Sequence, residues 1–261
     1  MNHAEWAINM KPGAWTTDNR SGLKRFSHSK RFEKAVELIA LEDGDRILDY
    51  GCSDGYLLEL LKPKGMNLRT CGYDPLWPYY EMNKKSSGRS RGIFITDDLD
   101  IFGKGTFNKI MCLEVLEHLE GSRLKDCLLN IKNLLSKNGT VVVSVPIEVG
   151  FSSLLKNAVR ICLNQTHPNT NLITIAKSLL KLPVKRRGDG SYILSHIGFD
   201  YRLLERTFTE MGFEVIKRVF SPFPPLGPYI NSQVFYVIRV VNPPDTGRDR
   251  GSILKAGLRR R

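Results

Sequence analysis

No uninterrupted apolar run in the 261-residue chain is long enough to cross a bilayer, and the first residues lack the apolar core of a secretory signal. Cysteine is scarce: five residues, at 52, 71, 112, 127 and 162, none of them in a CxxC pair. That excludes a disulfide framework and a paired-cysteine zinc site. It suits reduced, mostly buried thiols in a cytoplasmic protein. No internal repeat is present, which sets aside solenoids and propellers. Acidic residues are missing from 149–188, which carries seven Lys/Arg and no Asp/Glu, whereas 32–148 carries fifteen Lys/Arg against eighteen Asp/Glu. The net charge of +12 therefore sits at the two ends and in one internal segment, around a mildly acidic core. Such a pattern suits an anionic partner or surface met by peripheral elements, or solvated tails at the two ends.

What the chain does contain is organised around Arg46 to Leu61, RILDYGCSDGYLLELL. Ile47 and Leu48 are apolar and β-prone, Gly51 and Gly55 bracket a tight loop, and Tyr56, Leu57, Leu58, Leu60 and Leu61 give an apolar helix face. A strand turning sharply into a helix leaves backbone N–H groups that can cradle a carboxylate or phosphate, and glycine admits a ligand close to the backbone. The spacing is Gly-x-Ser-x-Gly. Ser53 fits the turn if its φ is negative.

Strands and helices alternate around this stretch. The pattern predicts a helix over 29–41, strands over 68–73, 92–95, 107–113 and 140–145, a short helix over 77–85 and a longer one over 119–135. After an interruption at 147–196 it predicts a helix over 201–211 and strands over 213–220 and 233–241, separated by the proline-rich SPFPPLGP. This is an α/β protein with a parallel sheet covered on both faces. The division expected is an N-terminal arm over 1–28, one domain over 29–241 and a flexible basic tail over 242–261. Asp74 ends the second strand about 20 residues past the turn, where an acid accepts ribose hydroxyls. Asp97 or Asp98 ends the third, and Leu113-Glu114 the fourth.

In order and spacing, ILDYGCSDG, CGYDP, FNKIMCLEVLEHL, LLSKNGTVVVSVP and FDYRLLERTFTEMGFEV resemble the class I S-adenosylmethionine-dependent methyltransferases. The resemblance covers about residues 30–220. It implies a Rossmann-like, doubly wound, mostly parallel seven-stranded sheet with a helical insertion after the fifth strand, and S-adenosyl-L-methionine as cofactor. It assigns the methionine part to the turn Gly51, Cys52, Ser53 and Gly55 with Asp49 nearby, and the ribose to Asp74 beside Pro75. Leu76 or Trp77 packs on adenine. Asp97 or Asp98, with Leu99, faces the adenine amino group, and Leu113 and Glu114 pass close to the sulfonium. Two departures are Ser53 for the commoner glycine and Asn108 where the family often has Asp.

Glu114, Glu117 and His118 share the i, i+3, i+4 face of a helical turn, to which the distant His196 in SHIGFDY could come back. ExxEH with a later His resembles metal sites in some ubiquinone-pathway O-methyltransferases and small-RNA 2′-O-methyltransferases. The plainer account of the string is the family's common helix start, with no metal. Between these stands His118 or His196 as general base, with Glu114 beside them.

In the insertion, Phe151 to Leu163 and Leu172 to Leu182 read as amphipathic helices with Lys156, Arg160, Lys177 and Lys181, followed by Lys185-Arg186-Arg187. A cap with its apolar faces buried on the body and its basic groups in solvent is the simpler expectation. Contact with an anionic membrane, at its inner face, or with a lipid-linked substrate is the sharper one. The reaction expected is methylation of an oxygen on a small-molecule, sugar or lipid-linked glycan acceptor. The rivals are an RNA methyltransferase, for which no aromatic residues are interleaved with the basic clusters, and a non-catalytic S-adenosylmethionine-binding protein.

Overall fold

The computed structural model describes residues 22–61, 65–76, 93–162, 172–180, 182–184, 193, 196 and 198–241. Seven strands form one sheet: β1 (Arg46–Tyr50), β2 (Arg69–Tyr73), β3 (Phe94–Thr96), β4 (Phe107–Leu113), β5 (Leu135–Pro146), β6 (Phe213–Ser221) and β7 (Gln233–Val240). Their spatial order is β3-β2-β1-β4-β5-β7-β6. Strands β3 to β5 pair in parallel, and β7 runs antiparallel to both β5 and β6. The order reverses between β1 and β4, which opens a crevice at their carboxyl ends.

Strict alternation along the strands decides which helix covers which face. Ile47, Met111, Val142, Phe235 and Val237 pack with Phe32, Ala35, Leu38 and Ile39 of α1 (Gly22–Ile39) and with Leu57 of α2 (Tyr56–Leu60). Their strand neighbours Leu48, Ile110, Cys112, Val141, Val143, Tyr236 and Ile238 point the other way. They meet Cys127, Leu128, Ile131 and Leu134 of α3 (Gly121–Leu134) and Tyr201, Leu204 and Phe208 of α6 (Tyr201–Glu210). A period of two in the strands and one near 3.6 in the helices thus close two apolar layers around one sheet.

The elements follow the sequence pattern with shifted ends. Helix α1 begins at Gly22, seven residues before the expected start, and stops where Ala40 turns to positive φ. Helix α3 begins at Gly121 because Leu116–His118 forms a separate 3₁₀ turn. The proline-rich loop holds a 3₁₀ turn at Pro224–Leu226 and a short helix α7 (Gly227–Ile230). The helix expected at 77–85, the arm before Gly22 and the tail from 242 lie outside the described residues. The described cysteines Cys52, Cys71, Cys112 and Cys127 are free thiols, all but Cys71 buried.

The insertion contains α4 (Phe151–Cys162) and α5 (Leu172–Leu179). Of the side chains expected on its apolar faces, Leu155, Ala158, Val159, Cys162 and Leu172 lie outside those described, and several of the described inward ones are small and polar. Ser152, Ser153, Asn157 and Ser178 are buried. The Ser153 and Ser178 hydroxyls bond to each other at 2.9 Å, and Ser178 donates to the Glu148 carbonyl. Lys156 is turned inward, onto the Ile147 and Ser232 carbonyls (both 2.9 Å) and Glu148 (3.1 Å). Ile175 is buried, but Leu154, Ile173, Leu180 and Leu182 are exposed.

Asn231 ties the insertion to the proline-rich loop. Its side chain accepts from the Phe223 N–H (2.6 Å) and donates to the carbonyls of Phe223 (2.6 Å) and Gly227 (2.7 Å). Its own carbonyl accepts from Ser152 Oγ. Asn231→Ala leaves those three backbone groups without the side chain, at a cost of about 2–3 kcal/mol. Urea unfolding should show that loss; an unchanged midpoint would mean that this side chain does not hold the loop.

Candidate active site

The turn after β1 is held by hydrogen bonds that its own backbone donates. Gly51 and Cys52 N–H both donate to the Tyr73 carbonyl, at 2.7 and 3.0 Å. Ser53 N–H donates to Asp74 Oδ2 at 2.8 Å, Gly55 N–H to the Cys52 carbonyl at 2.9 Å, and Tyr56 N–H to Asp54 Oδ1 at 3.3 Å. These N–H groups are spoken for, so the turn is poorly furnished as an anion cradle. Gly51 has φ 83, and a Cβ there would lie 2.4 Å from Val115 Cγ2. Gly55, φ 78, caps α2. Ser53 departs from its expected negative φ: it sits at φ 49, in the left-handed region. Its bond to a carboxylate offsets a strain of about 1–2 kcal/mol.

Acids crowd this turn. Asp74 is buried, and its Oδ1 accepts from the Leu76 N–H at 2.9 Å while Oδ2 holds Ser53. Burial raises its pKa, and those two N–H donors pull it back. Asp49 is buried on β1, and burial, then the charges of Asp74 and Asp54, push its carboxyl up to about 8. Asp97 and Asp98 are exposed at the end of β3, where Asp98 Oδ1 accepts from the Asp100 N–H at 2.9 Å. Pro75 is exposed, and Leu76, Leu99 and Leu113 are half-buried. Trp77 lies outside the described residues. Asn108 is at the far end of β4, where its side chain accepts from the Arg46 N–H (2.7 Å) and donates to Asp45 (2.6 Å). Its departure from the family pattern therefore leaves the crevice untouched.

At the end of β4, Glu114 takes φ 58, a strained conformation for a residue with a side chain. Its N–H donates to the Ser144 carbonyl (3.0 Å), and Ser144 Oγ donates to its Oε1 (3.3 Å). Arg31 of α1, buried, brings Nη1 to 3.3 Å from Glu114 Oε2. Glu114 is thus parted from Glu117 and His118, because the chain between them is a 3₁₀ turn rather than an α-helix. Glu117, His118 and His196 do converge, with ligand-type atoms within 4.8 Å of one another. Glu117 Oε1 is 3.9 Å from His118 Nε2 and 3.8 Å from His196 Nδ1. His118 Nδ1 lies 2.6 Å from the Ile193 carbonyl, which can only accept, so Nδ1 carries a proton and Nε2 faces Glu117. Val115 joins this cluster to the Gly51 turn.

Residues 23–217 match the model of a methyltransferase domain. The chain belongs to the methyltransferase domain family. Its cofactor is S-adenosyl-L-methionine. The mitochondrial ubiquinone biosynthesis O-methyltransferase of Schizosaccharomyces pombe is 28% identical over 141 residues. That match covers 50% of this chain and 49% of the relative, so the chain spans about half the length of the curated relative it matches. The N-methyltransferase NodS from Bradyrhizobium japonicum, solved with S-adenosyl-L-homocysteine, superposes with a TM-score of 0.53 at 14% identity. It covers 92% of this chain and 97% of its own. PH0226 from Pyrococcus horikoshii gives 0.55 at 13%, covering 91% and 99%. At these identities the two structures speak for the fold.

The methyltransferase's turn suits its cofactor electrically. Buried and neighbouring carboxylates favour a ligand carrying a sulfonium and an ammonium, and disfavour the pyrophosphate of a dinucleotide. Arg31, Ser144, Val115 and Ile193 were not singled out from the sequence. Arg31 alone left a signal: it precedes Ala35, Leu38 and Ile39 at helical spacing, on the buried face of α1.

Asp49 makes the free enzyme's stability depend on pH. Between about 4 and about 8 the folded state keeps a proton that the unfolded chain gives up, so stability falls as pH rises through that window and levels off above it. Asp49→Asn should flatten the thermal midpoint across that range. A variant as pH-sensitive as wild type would place the proton elsewhere.

Proposed function

We propose that the enzyme methylates a hydroxyl oxygen of a small-molecule, sugar or lipid-linked glycan acceptor. The observation that carries this reading is the convergence of Glu117, His118 and His196 beside the Gly51 turn, two imidazoles and a carboxylate next to the cofactor's expected seat. The cofactor supplies an already activated methyl group. The chain's part is alignment and removal of the hydroxyl proton, tasks suited to histidines. His118 is held in one tautomer by Ile193, and His196, about a quarter exposed, is the more reachable of the two. The O-methyltransferase relative supports an oxygen acceptor. In this reading Asp74 holds the ribose, Asp97 or Asp98 the adenine amino group, and Asp49, Gly51, Cys52, Ser53 and Gly55 the methionine part, with Leu113 and Glu114 behind the sulfonium.

A divalent cation is a second reading of the same cluster, and one observation favours it. A histidine whose Nδ1–H is fixed by a carbonyl, with Nε2 turned toward a carboxylate and another imidazole, is the usual preparation of a metal ligand. The donor set of one carboxylate and two imidazoles fits such an ion, which would orient the acceptor and acidify its hydroxyl. Glu117, His118 and His196 would hold it. Glu114, engaged with Arg31 and Ser144, falls outside that set.

Asp74→Ala should weaken calorimetric binding of S-adenosylhomocysteine about tenfold to a hundredfold. Unchanged affinity in the folded variant would reject the ribose assignment. His196→Ala should slow transfer to a hydroxyl acceptor by about 10²-fold or more while leaving that affinity unaltered. Activity abolished by EDTA and restored by a divalent metal supports the cation; full activity in EDTA leaves the histidines as bases.

A further inference from the structure

Among the described side chains of α5 the exposed ones are Ile173, Ala176 and Lys177, followed by Leu180 just past the helix end. Their spacing, i, i+3, i+4 and i+7, puts them on one side of the helix, opposite the buried Ile175 and Ser178. Helix α4 contacts both α5 and α7. It exposes Phe151 and Leu154 while burying Ser152, Ser153 and Asn157. Around α7, Leu226, Tyr229 and Ile230 are exposed in turn. Among the described side chains of this region, Ser152, Ser153, Asn157 and Ser178 face the protein with Ile175, while Phe151, Leu154, Ile173, Leu180, Tyr229 and Ile230 face out. A water-facing cap would put them the other way round.

We propose that this face, formed by α4, α5 and α7, is a docking surface for an anionic lipid bilayer. Charge complementarity selects the occupant. Residues 149–188 carry no acid; of their seven basic residues Lys156 is turned inward, and Lys177 lies within the exposed apolar side itself. Apolar side chains enter the acyl boundary while the basic groups meet lipid phosphates, the arrangement by which interfacial helices bind. None of the described helices is long and apolar enough to cross a membrane, so the contact is one of surface attachment. The proposal stands apart from the identity of the acceptor and uses none of the groups around the cofactor.

Flotation of the full chain with vesicles tests it. Wild type should float with phosphatidylcholine mixed with phosphatidylglycerol, less with phosphatidylcholine alone, and less in high salt. The double variant Ile173→Ser, Leu180→Ser should partition about tenfold more weakly, and Lys177→Glu should lose a similar factor on the anionic vesicles only. Leu203→Ser, an equally exposed site on α6, should float like wild type. All variants should bind S-adenosylhomocysteine with unchanged affinity, which separates this proposal from the reading of the active site. Absence of flotation at low salt, or flotation of the double variant at the wild-type level, overturns it. So does light scattering that finds a lipid-free dimer split by the double variant, because the face would then join copies of the chain.

Discussion

The carboxylate of Asp74 holds two turns of the chain at once. One oxygen takes the N–H of Ser53, in the turn after β1, and the other takes the N–H of Leu76, just past β2. With the Tyr73 carbonyl receiving Gly51 and Cys52, this stitches the glycine turn to the neighbouring strand. The left-handed Ser53 depends on that stitching, and so does the position of Gly51 against Val115. Val115 in turn begins the 3₁₀ turn that carries Glu117 and His118. The glycine turn and the 3₁₀ turn that carries Glu117 and His118 are therefore parts of one packed unit.

The electrostatics of that unit separate this protein from dinucleotide-binding folds, which share the order of its first five strands. Dinucleotide-binding turns offer backbone N–H groups to a pyrophosphate. Here the N–H groups of Gly51, Cys52 and Ser53 bond within the protein, and Asp49, Asp54 and Asp74 gather in their place. Burial, then the charges of Asp74 and Asp54, keep a proton on Asp49 up to about pH 8. A cation beside it favours the charged form and opposes both.

The sheet was legible because its signals are local. Alternation in Ile47-Leu48, Ile110-Met111-Cys112 and Val141-Val142-Val143 is a property of consecutive residues, and the two faces they define are those seen. The resemblance carried the doubly wound, mostly parallel arrangement of seven strands. The acids at strand ends were legible for the same reason, since each marks where a strand stops. What failed depended on backbone conformation or distance. ExxEH places three groups on one face only if the turn is α-helical, and a positive φ at Glu114 breaks that geometry. Arg31 reaches Glu114 from 83 residues away, and Ile193 reaches His118 from 75. In the insertion the helical periodicity was legible, but periodicity does not say which side faces inward: Ser152, Ser153 and Ser178 are buried, while Leu154 and Leu180 are exposed.

The central claim is that buried carboxylates around the Gly51 turn are set for a cationic nucleoside ligand. Carbon-13 NMR of the Asp49 carboxyl, titrated with and without S-adenosylmethionine, reads it directly. The account predicts a pKa near 8 in the free protein, falling toward the ordinary carboxylate value of about 4 when the cation is bound. A carboxyl that titrates at the same pH in both states would contradict it.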